Sequence, residues 1–204
     1  MKQKSILPKS FFREHPLENI SFARFSFFKM AELKQGAVSE IYSKASLSDL
    51  LPKERATQIA AENERISHLQ TADEVIQALR KEKESFCLDA IIQRALEMED
   101  TVLPLLLQRY QTNRVDFFIE GAAQILARAD ARYAEVLFAN YESIRYDYAR
   151  AQACIVFAVK DMKQAIPLLL SEMNRLKTVA DREFHSDLSQ APLLALYVLN
   201  NEPF

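Results

Sequence analysis

The side chains that could carry out chemistry in this chain are few and widely separated. Cys87 and Cys154 could act as nucleophiles, and His15, His68 and His185 could act as bases or metal ligands. The sequence contains no C-x-x-C motif and no Cys/His spacing of a zinc site, so it predicts no metal and no cofactor. We interpret both cysteines as packing residues and the three histidines as surface residues.

The most prominent polar feature is a row of charged and aromatic residues that recurs every 31 positions. Each copy has a basic residue, then a small or acidic residue, then an aromatic one, at 83–86, 114–117 and 145–148. The row is either a ridge that binds a partner or an internal ladder, in which each arginine bonds an aspartate or a helix-end carbonyl of the adjacent unit. The candidate partner-binding residues are Arg114, Asp116, Tyr141, Arg145, Tyr146 and Asp147.

The composition predicts that helices position these residues. The chain has 204 residues, of which 49% are hydrophobic and 26% charged, but only two are glycine. An average glycine usage near 7% would give about 14. Glycine is therefore too scarce to supply the turns of sheets, phosphate loops or dinucleotide-binding motifs. We expect an all-α protein with a sizeable core.

Apolar residues also recur every 31 positions, which indicates a repeat architecture. One register is an adjacent apolar pair that begins at Val75, Leu106, Leu137 and Leu168. A second register consists of small or apolar residues spaced by the same interval, namely Ile91, Ala122 and Ala153, followed by Ala95, Leu126 and Phe157. Because two registers share one period, each unit is predicted to contain two helices.

The apolar spacing within these units predicts antiparallel helical hairpins. The predicted pairs are 72–81 with 85–98, 101–111 with 115–128, and 132–142 with 146–159, and a further first helix spans about 162–176. Asp116 and Asp147 lie where a second helix begins, so each is a candidate helix cap. Residues 177–187 are read as an insertion before a last helix at 188–200. A strict period would instead place Phe184 and Leu188 in the partner helix and Leu199 in a fifth first helix.

Residues 1–71 show no comparable repeat and are predicted to form an N-terminal helical cap region. Residues 21–34 have helical spacing, and residues 53–69 form a polar helix. We expect this region to cover the N-terminal end of the repeats at 72–204, because an exposed end would leave apolar surface in water. Six of the thirteen phenylalanines lie here: Phe11, Phe12, Phe22, Phe25, Phe27 and Phe28.

Residues 149–173 (ARAQACIVFAVKDMKQAIPLLLSEM) resemble HEAT-like repeats, particularly the short variety of proteins related to bilin lyases. They show small residues in a second helix, then Asp161, then an apolar start of the next helix that contains Pro167. Asp100 and Pro104 give a shorter version of the pattern. The resemblance covers about residues 72–176 and implies a right-handed α-solenoid of stacked hairpins. Tetratricopeptide repeats differ, because their period is 34 and their tryptophan and Leu-Gly signature is absent.

Three functions are compatible with this architecture. The first is a non-catalytic adaptor that binds another protein on the solenoid surface. The second, which the resemblance implies, is an enzyme that excises alkylated bases from DNA or handles a bilin. The third is a self-associating structural protein that forms a homodimer through the phenylalanine-rich N-terminal region.

Charge and hydropathy restrict the partners and the compartment. The formal net charge is −2, so no overall positive field would gather nucleic acid, and we expect no nucleic-acid partner. The basic start lacks the apolar stretch of a secretory signal. No apolar run approaches the roughly 18 residues of a membrane span. We therefore expect a cytoplasmic protein with no membrane association.

Overall fold

The computed structural model describes residues 6–17, 52–82, 86–183 and 188–202, and within these ranges the fold is all helical with no strand. The prediction of an all-α protein is therefore confirmed for this part of the chain. In chain order the α-helices are α1 (Lys9–Glu14), α2 (Lys53–Ser67), α3 (Ala72–Lys81), α4 (Leu88–Glu97), α5 (Glu99–Tyr110), α6 (Asp116–Arg128), α7 (Ala131–Ala139), α8 (Asp147–Val159), α9 (Ile166–Glu183) and α10 (Gln190–Asn200).

Local side chains explain where several helices begin. Thr71 Oγ1 accepts from the Glu74 amide at 3.3 Å, and the Glu74 carboxylate accepts from the Thr71 amide at 2.9 Å. This capping box satisfies two amides at the start of α3. Asp130 Oδ1 caps α7 by accepting from the Arg132 amide at 2.9 Å. Asp116 and Asp147 are the first residues of α6 and α8 but form no side-chain cap bond, so they favour these helices only through the dipole.

The helices contact one another in a regular order. Consecutive pairs pack together: α3 with α4, α5 with α6, α7 with α8, and α9 with α10. Contacts between pairs follow two series. One series runs from α3 to α5 to α7, and the other from α2 through α4, α6 and α8 to α10.

Apolar residues that recur every 31 positions in the sequence are buried or half-buried in the helices. Val75, Leu106 and Leu137 are buried in α3, α5 and α7, and Leu168 is half-buried in α9. The small or apolar residues of the second register are all buried in the second helices: Ile91, Ala122, Ala153, Ala95, Leu126 and Phe157.

Helix α8 contains the longest unbroken run of buried residues among the described helices. Every residue from Ala149 to Ala158 is buried, and the helix packs against α6, α7 and α10. From α5, the Tyr110 hydroxyl donates to the Ala149 carbonyl at 2.8 Å. Alanines at 149, 151, 153 and 158 let neighbouring helices approach closely, whereas Arg150 places a cation in the same interior.

The C-terminal helices decide between the two predicted registers. Helix α9 continues to Glu183, so the polar segment predicted as an insertion begins as an extension of this helix. Leu199 lies in α10, the partner of α9, and is buried there. The strict register that placed Leu199 in a fifth first helix is therefore wrong, and the predicted last helix at 188–200 is confirmed as α10.

The N-terminal residues occupy two separate places. Helix α2 packs on α4, and Arg94 of α4 donates to the Leu69 carbonyl through Nε at 2.8 Å and Nη2 at 2.5 Å. Helix α1 instead lies against α10, at the other end of the helix order, which differs from the expected position. The predicted helix at 21–34 and the phenylalanines at 22, 25, 27 and 28 lie outside the described residues.

The contact between α1 and α10 satisfies polar groups that α10 buries. The single proton of the Tyr197 hydroxyl is shared between the Phe12 carbonyl at 2.9 Å and the His15 carbonyl at 3.1 Å. The Phe12 and Tyr197 rings meet edge to face at 4.7 Å. Asn200 Oδ1 accepts from the amides of residues 6 and 7 at 2.8 and 2.9 Å. Buried hydroxyl and amide groups need such partners, and the N-terminal backbone supplies them.

Among the residues that the structure describes, no helix has both the length and the apolar character needed to cross a bilayer.

Replacing Tyr197 by phenylalanine tests this contact. The Tyr197→Phe variant keeps the ring against Phe12 but removes both hydroxyl bonds, so we expect the free energy of unfolding to fall by about 1 kcal/mol. Amide hydrogen exchange of residues 9–15 should accelerate, while exchange in α3 stays unchanged. Equal exchange of residues 9–15 in the variant and the wild type would show that the hydroxyl does not hold α1 in place.

Candidate interaction surface

The two candidate arginines lie on the neighbouring connections that lead into α6 and α8. The Arg145 amide donates to the Gln111 carbonyl at 3.3 Å, which joins the connection after α5 to the connection after α7. Both arginine side chains are exposed. Neither guanidinium forms a hydrogen bond or an ion pair with any residue in the described ranges. Within the described ranges, neither arginine forms the bond that the internal-ladder hypothesis predicts.

Asp116 and Tyr146 complete this surface. The Tyr146 hydroxyl donates to Asp116 Oδ1 at 3.1 Å, across the two connections. Burial and this bond to Asp116 raise the pKa of Tyr146, while the nearby Arg114 charge acts in the opposite direction. Val115 lies between Arg114 and Asp116 in the sequence and has 57% of its surface exposed. We call residues Arg114, Val115, Asp116, Arg145 and Tyr146 the arginine edge.

Asp147 belongs to a different group of charges. Its carboxylate accepts from Arg175 of α9 at 2.5 Å rather than from Arg145. Arg175 also bonds Glu172, whose carboxylate receives a further pair of bonds from Arg150 at 2.9 Å each. The residues of the predicted row therefore lie in two places. Arg114 and Arg145 are at the surface, whereas Asp147 belongs to a partly buried network between α8 and α9.

Tyr141 lies in the core and not on the surface. Only 2% of its surface is exposed, and the Arg150 guanidinium lies 4.3 Å from the centre of its ring. Its hydroxyl donates to the Arg150 carbonyl at 3.4 Å and lies 3.6 Å from Cys154 Sγ. Burial raises the pKa of Tyr141 well above its ordinary range. A buried ring cannot contact a partner, so Tyr141 is removed from the candidate surface.

The pair of Arg150 and Glu172 is the charged feature that the sequence interpretation missed. Glu172 is only 2% exposed, and its burial opposes ionisation. Hydrogen bonds from Arg150 and Arg175 outweigh that cost and lower the pKa of Glu172 to about 2. A usable signal was present in the sequence, because Arg150 interrupts a helix whose other residues are almost all small or apolar.

Carboxylates around the arginine edge are already bonded by the protein itself. Asp116 receives the Tyr146 hydroxyl, Glu120 receives the Tyr148 hydroxyl, and Asp147 receives Arg175. The tyrosine hydroxyls are neutral, so Asp116 keeps its negative charge. The five residues of the arginine edge therefore carry two guanidinium charges and one carboxylate charge, which leaves a net local charge of +1. This local charge differs in sign from the net charge of the whole chain.

The cysteines and histidines form no reactive arrangement among the described residues. Both cysteines are buried, as predicted, and burial raises the pKa of Cys87 to about 11 and that of Cys154 to about 12. Thiols with such pKa values are poor nucleophiles near neutral pH. His15 stacks on Phe11 at 4.5 Å, His68 is exposed, and His185 lies outside the described residues. No group of three or more potential ligands that could hold a metal occurs in the described ranges.

Comparisons with protein-family models, with curated proteins and with solved structures find no match to this chain. Its function is therefore argued from its own residues and geometry.

The buried carboxylate predicts a specific dependence of stability on pH. Glu172 has an ordinary pKa of 4.5 and a folded pKa of about 2, so its contribution is complete above pH 4.5 and is lost as the pH falls towards 2. The difference corresponds to about 3 kcal/mol. The Glu172→Gln variant should be about 3 kcal/mol less stable than wild type near neutral pH, because Arg150 stays buried without its main partner.

The measurement is denaturant unfolding of both proteins between neutral pH and about pH 2. The stability gap between wild type and Glu172→Gln should narrow as the pH falls through this window. Glu135→Gln, at an exposed position of α7, is the matched control and should show no gap. A gap of constant size at all pH values would contradict the assigned role of the Glu172 charge.

Proposed function

We propose that this protein is a non-catalytic adaptor that binds an acidic segment of a partner protein at the arginine edge. The observation that carries the proposal is the pair of exposed guanidiniums on Arg114 and Arg145. Neither has a hydrogen bond or ion pair with a residue that the structure describes, although the neighbouring carboxylates accept hydrogen bonds. An acidic segment would neutralise this local positive charge. Arginine also suits this role, because its planar guanidinium bonds carboxylates through two parallel hydrogen bonds.

The exposed apolar residue beside the arginines supports the same partner. Val115 could pack against an apolar side chain of the bound segment, while Arg114 and Arg145 pair with its carboxylates. Specific interfaces combine an apolar centre with a polar rim in this way. The bond between Tyr146 and Asp116 supports the proposal too, since it holds the two connections together and fixes the spacing of the arginines.

As the scaffold of this adaptor we propose a HEAT-like, right-handed α-solenoid with a period of 31. The paired helix contacts and the burial of residues 31 positions apart support it. Polar contacts between neighbouring pairs also have nearly this separation: the Asp130 amide donates to Glu99 at 2.9 Å, and Tyr146 bonds Asp116. A solenoid of this kind provides an extended binding surface without a catalytic cleft.

The other two functions gain no supporting observation. Nothing in the described residues favours excision of DNA bases or handling of a bilin. Homodimer formation through the phenylalanine-rich region is weakened at Phe12, which is buried against Tyr197 of the same chain. The cytoplasmic location stays a prediction from the sequence.

Reversing the charge of the edge tests the proposal. A fluorescein-labelled peptide rich in glutamate, with leucines at intervals, is the probe, and fluorescence anisotropy measures its dissociation constant. The Arg114→Glu/Arg145→Glu variant should bind about tenfold or more weakly, since charge reversal replaces two attractions by two repulsions. Its stability should change by no more than about 0.5 kcal/mol, because both side chains are exposed.

Arg13→Glu is the control, because Arg13 is an exposed arginine on α1, which lies against α10. It should bind the peptide almost as wild type does, and binding should weaken as salt rises. A peptide with glutamine in place of glutamate should not bind. Equal loss in Arg13→Glu and in the double variant would contradict the proposed site, and tighter binding of single-stranded DNA of equal charge would contradict the proposed partner class.

A further inference from the structure

A second feature, separate from the arginine edge, is a cavity of about 470 Å³ between α2, the end of α3 and the start of α4. Its apolar wall is formed by six residues: Ile59, Ile66, Ala78, Phe86, Cys87 and Ile91. Charged side chains surround its mouth. The volume lies within the range of about 300–1,000 Å³ that is typical of small-molecule sites.

The cavity exists because α2 packs closely only near its C-terminal end. Ile66 and the following Leu69 are buried, whereas Ile59, two turns earlier, is only half-buried. Arg94 fixes the end of α2 by donating to the Leu69 carbonyl. The N-terminal half of the helix carries few apolar residues that could close the gap against α3 and α4.

The mouth of the cavity has an excess of positive charge. Among the described residues, three cations and two carboxylates line it: Arg55, Arg65, Lys81, Glu62 and Glu82. Both carboxylates already accept bonds, Glu62 from Arg65 at 2.9 and 2.6 Å and Glu82 from the Cys87 amide at 3.3 Å.

Lys81 differs from the other charged groups at the mouth. Its ammonium has no hydrogen bond or ion pair with any residue in the described ranges. The mouth therefore offers a cation beside an apolar wall. The Arg55 guanidinium lies 5.7 Å from the centre of the Phe86 ring, so positive charge and aromatic surface also meet on the opposite side.

We propose that this cavity binds a small amphipathic organic anion. The apolar body of the ligand packs on Ile59, Ile66 and Phe86, and its anionic group pairs with Lys81. A neutral ligand of the same shape would leave the Lys81 charge without a partner, and a cation would be repelled. This binding site is independent of the adaptor function, because the arginine edge lies on the connections into α6 and α8.

Fluorescence titration with anilinonaphthalene sulfonate tests the proposal, since this aromatic anion brightens in apolar sites. Wild type should bind the probe saturably with one site, and decanoate should displace it more effectively than decanol. Lys81→Met should weaken binding of the probe by about three- to tenfold, the size expected for a partly exposed charge pair. Lys177→Met, at an exposed lysine of α9, is the matched control and should bind as wild type does.

A second variant fills the space without changing any charge. Ala78→Leu extends a side chain from α3 into the cavity and should lower probe affinity by at least the same factor, with the far-UV circular dichroism of wild type retained. Decanoate should raise the unfolding temperature of wild type but not of Ala78→Leu. Non-saturable probe binding, or equal affinities of Lys81→Met and Lys177→Met, would overturn the proposal. So would equal displacement by decanoate and decanol, or unchanged probe binding in a folded Ala78→Leu protein.

Discussion

The structure depends on the burial of a helix that carries a charge. Helix α8 is covered from Ala149 to Ala158, so the guanidinium of Arg150 is largely removed from bulk water. A buried charge of this kind is tolerated only when a well-placed opposite charge and further hydrogen bonds compensate for its lost hydration. Glu172 supplies that charge from α9, and Tyr141 covers the guanidinium with its ring. The position of α9 relative to α8 is therefore restricted by the bonds from Arg150 to Glu172 and from Arg175 to Asp147.

The partners of the charged side chains distinguish charges that stabilise the fold from charges that are available for binding. Between α8 and α9, Arg175 bonds both Asp147 and Glu172. Tyr146 donates a hydrogen bond to Asp116. Arg114 and Arg145 remain exposed on neighbouring connections, which is why the proposed partner is an acidic segment. The cavity beside α2 shows the same contrast. Its carboxylates, on Glu62 and Glu82, accept hydrogen bonds, whereas Lys81 has no hydrogen bond or ion pair with any described residue.

Local sequence patterns predict where the helices lie, but they do not predict which side chains meet across different helices. The helices at 72–81, 116–128 and 147–159 follow from apolar spacing, which depends only on residues a few positions apart. The sequence predicts Tyr141 as a partner-binding residue, because nothing in the local sequence distinguishes it from the half-buried Tyr146. The bond from Arg150 to Glu172 joins residues 22 positions apart, and the bond from Tyr197 to Phe12 joins residues 185 positions apart. Such partners are set by how helices pack, which a single sequence does not encode in any short window.

Residue-resolved native-state hydrogen exchange tests the central place of α8 most directly. Amides of residues 151–158 should exchange only through global unfolding, with the same free energy that denaturant unfolding gives. Amides in the first half of α2, which packs closely only near its C-terminal end, should exchange through local opening at a lower free energy. Exchange of the α8 amides at a free energy equal to or below that of α2 would contradict the account.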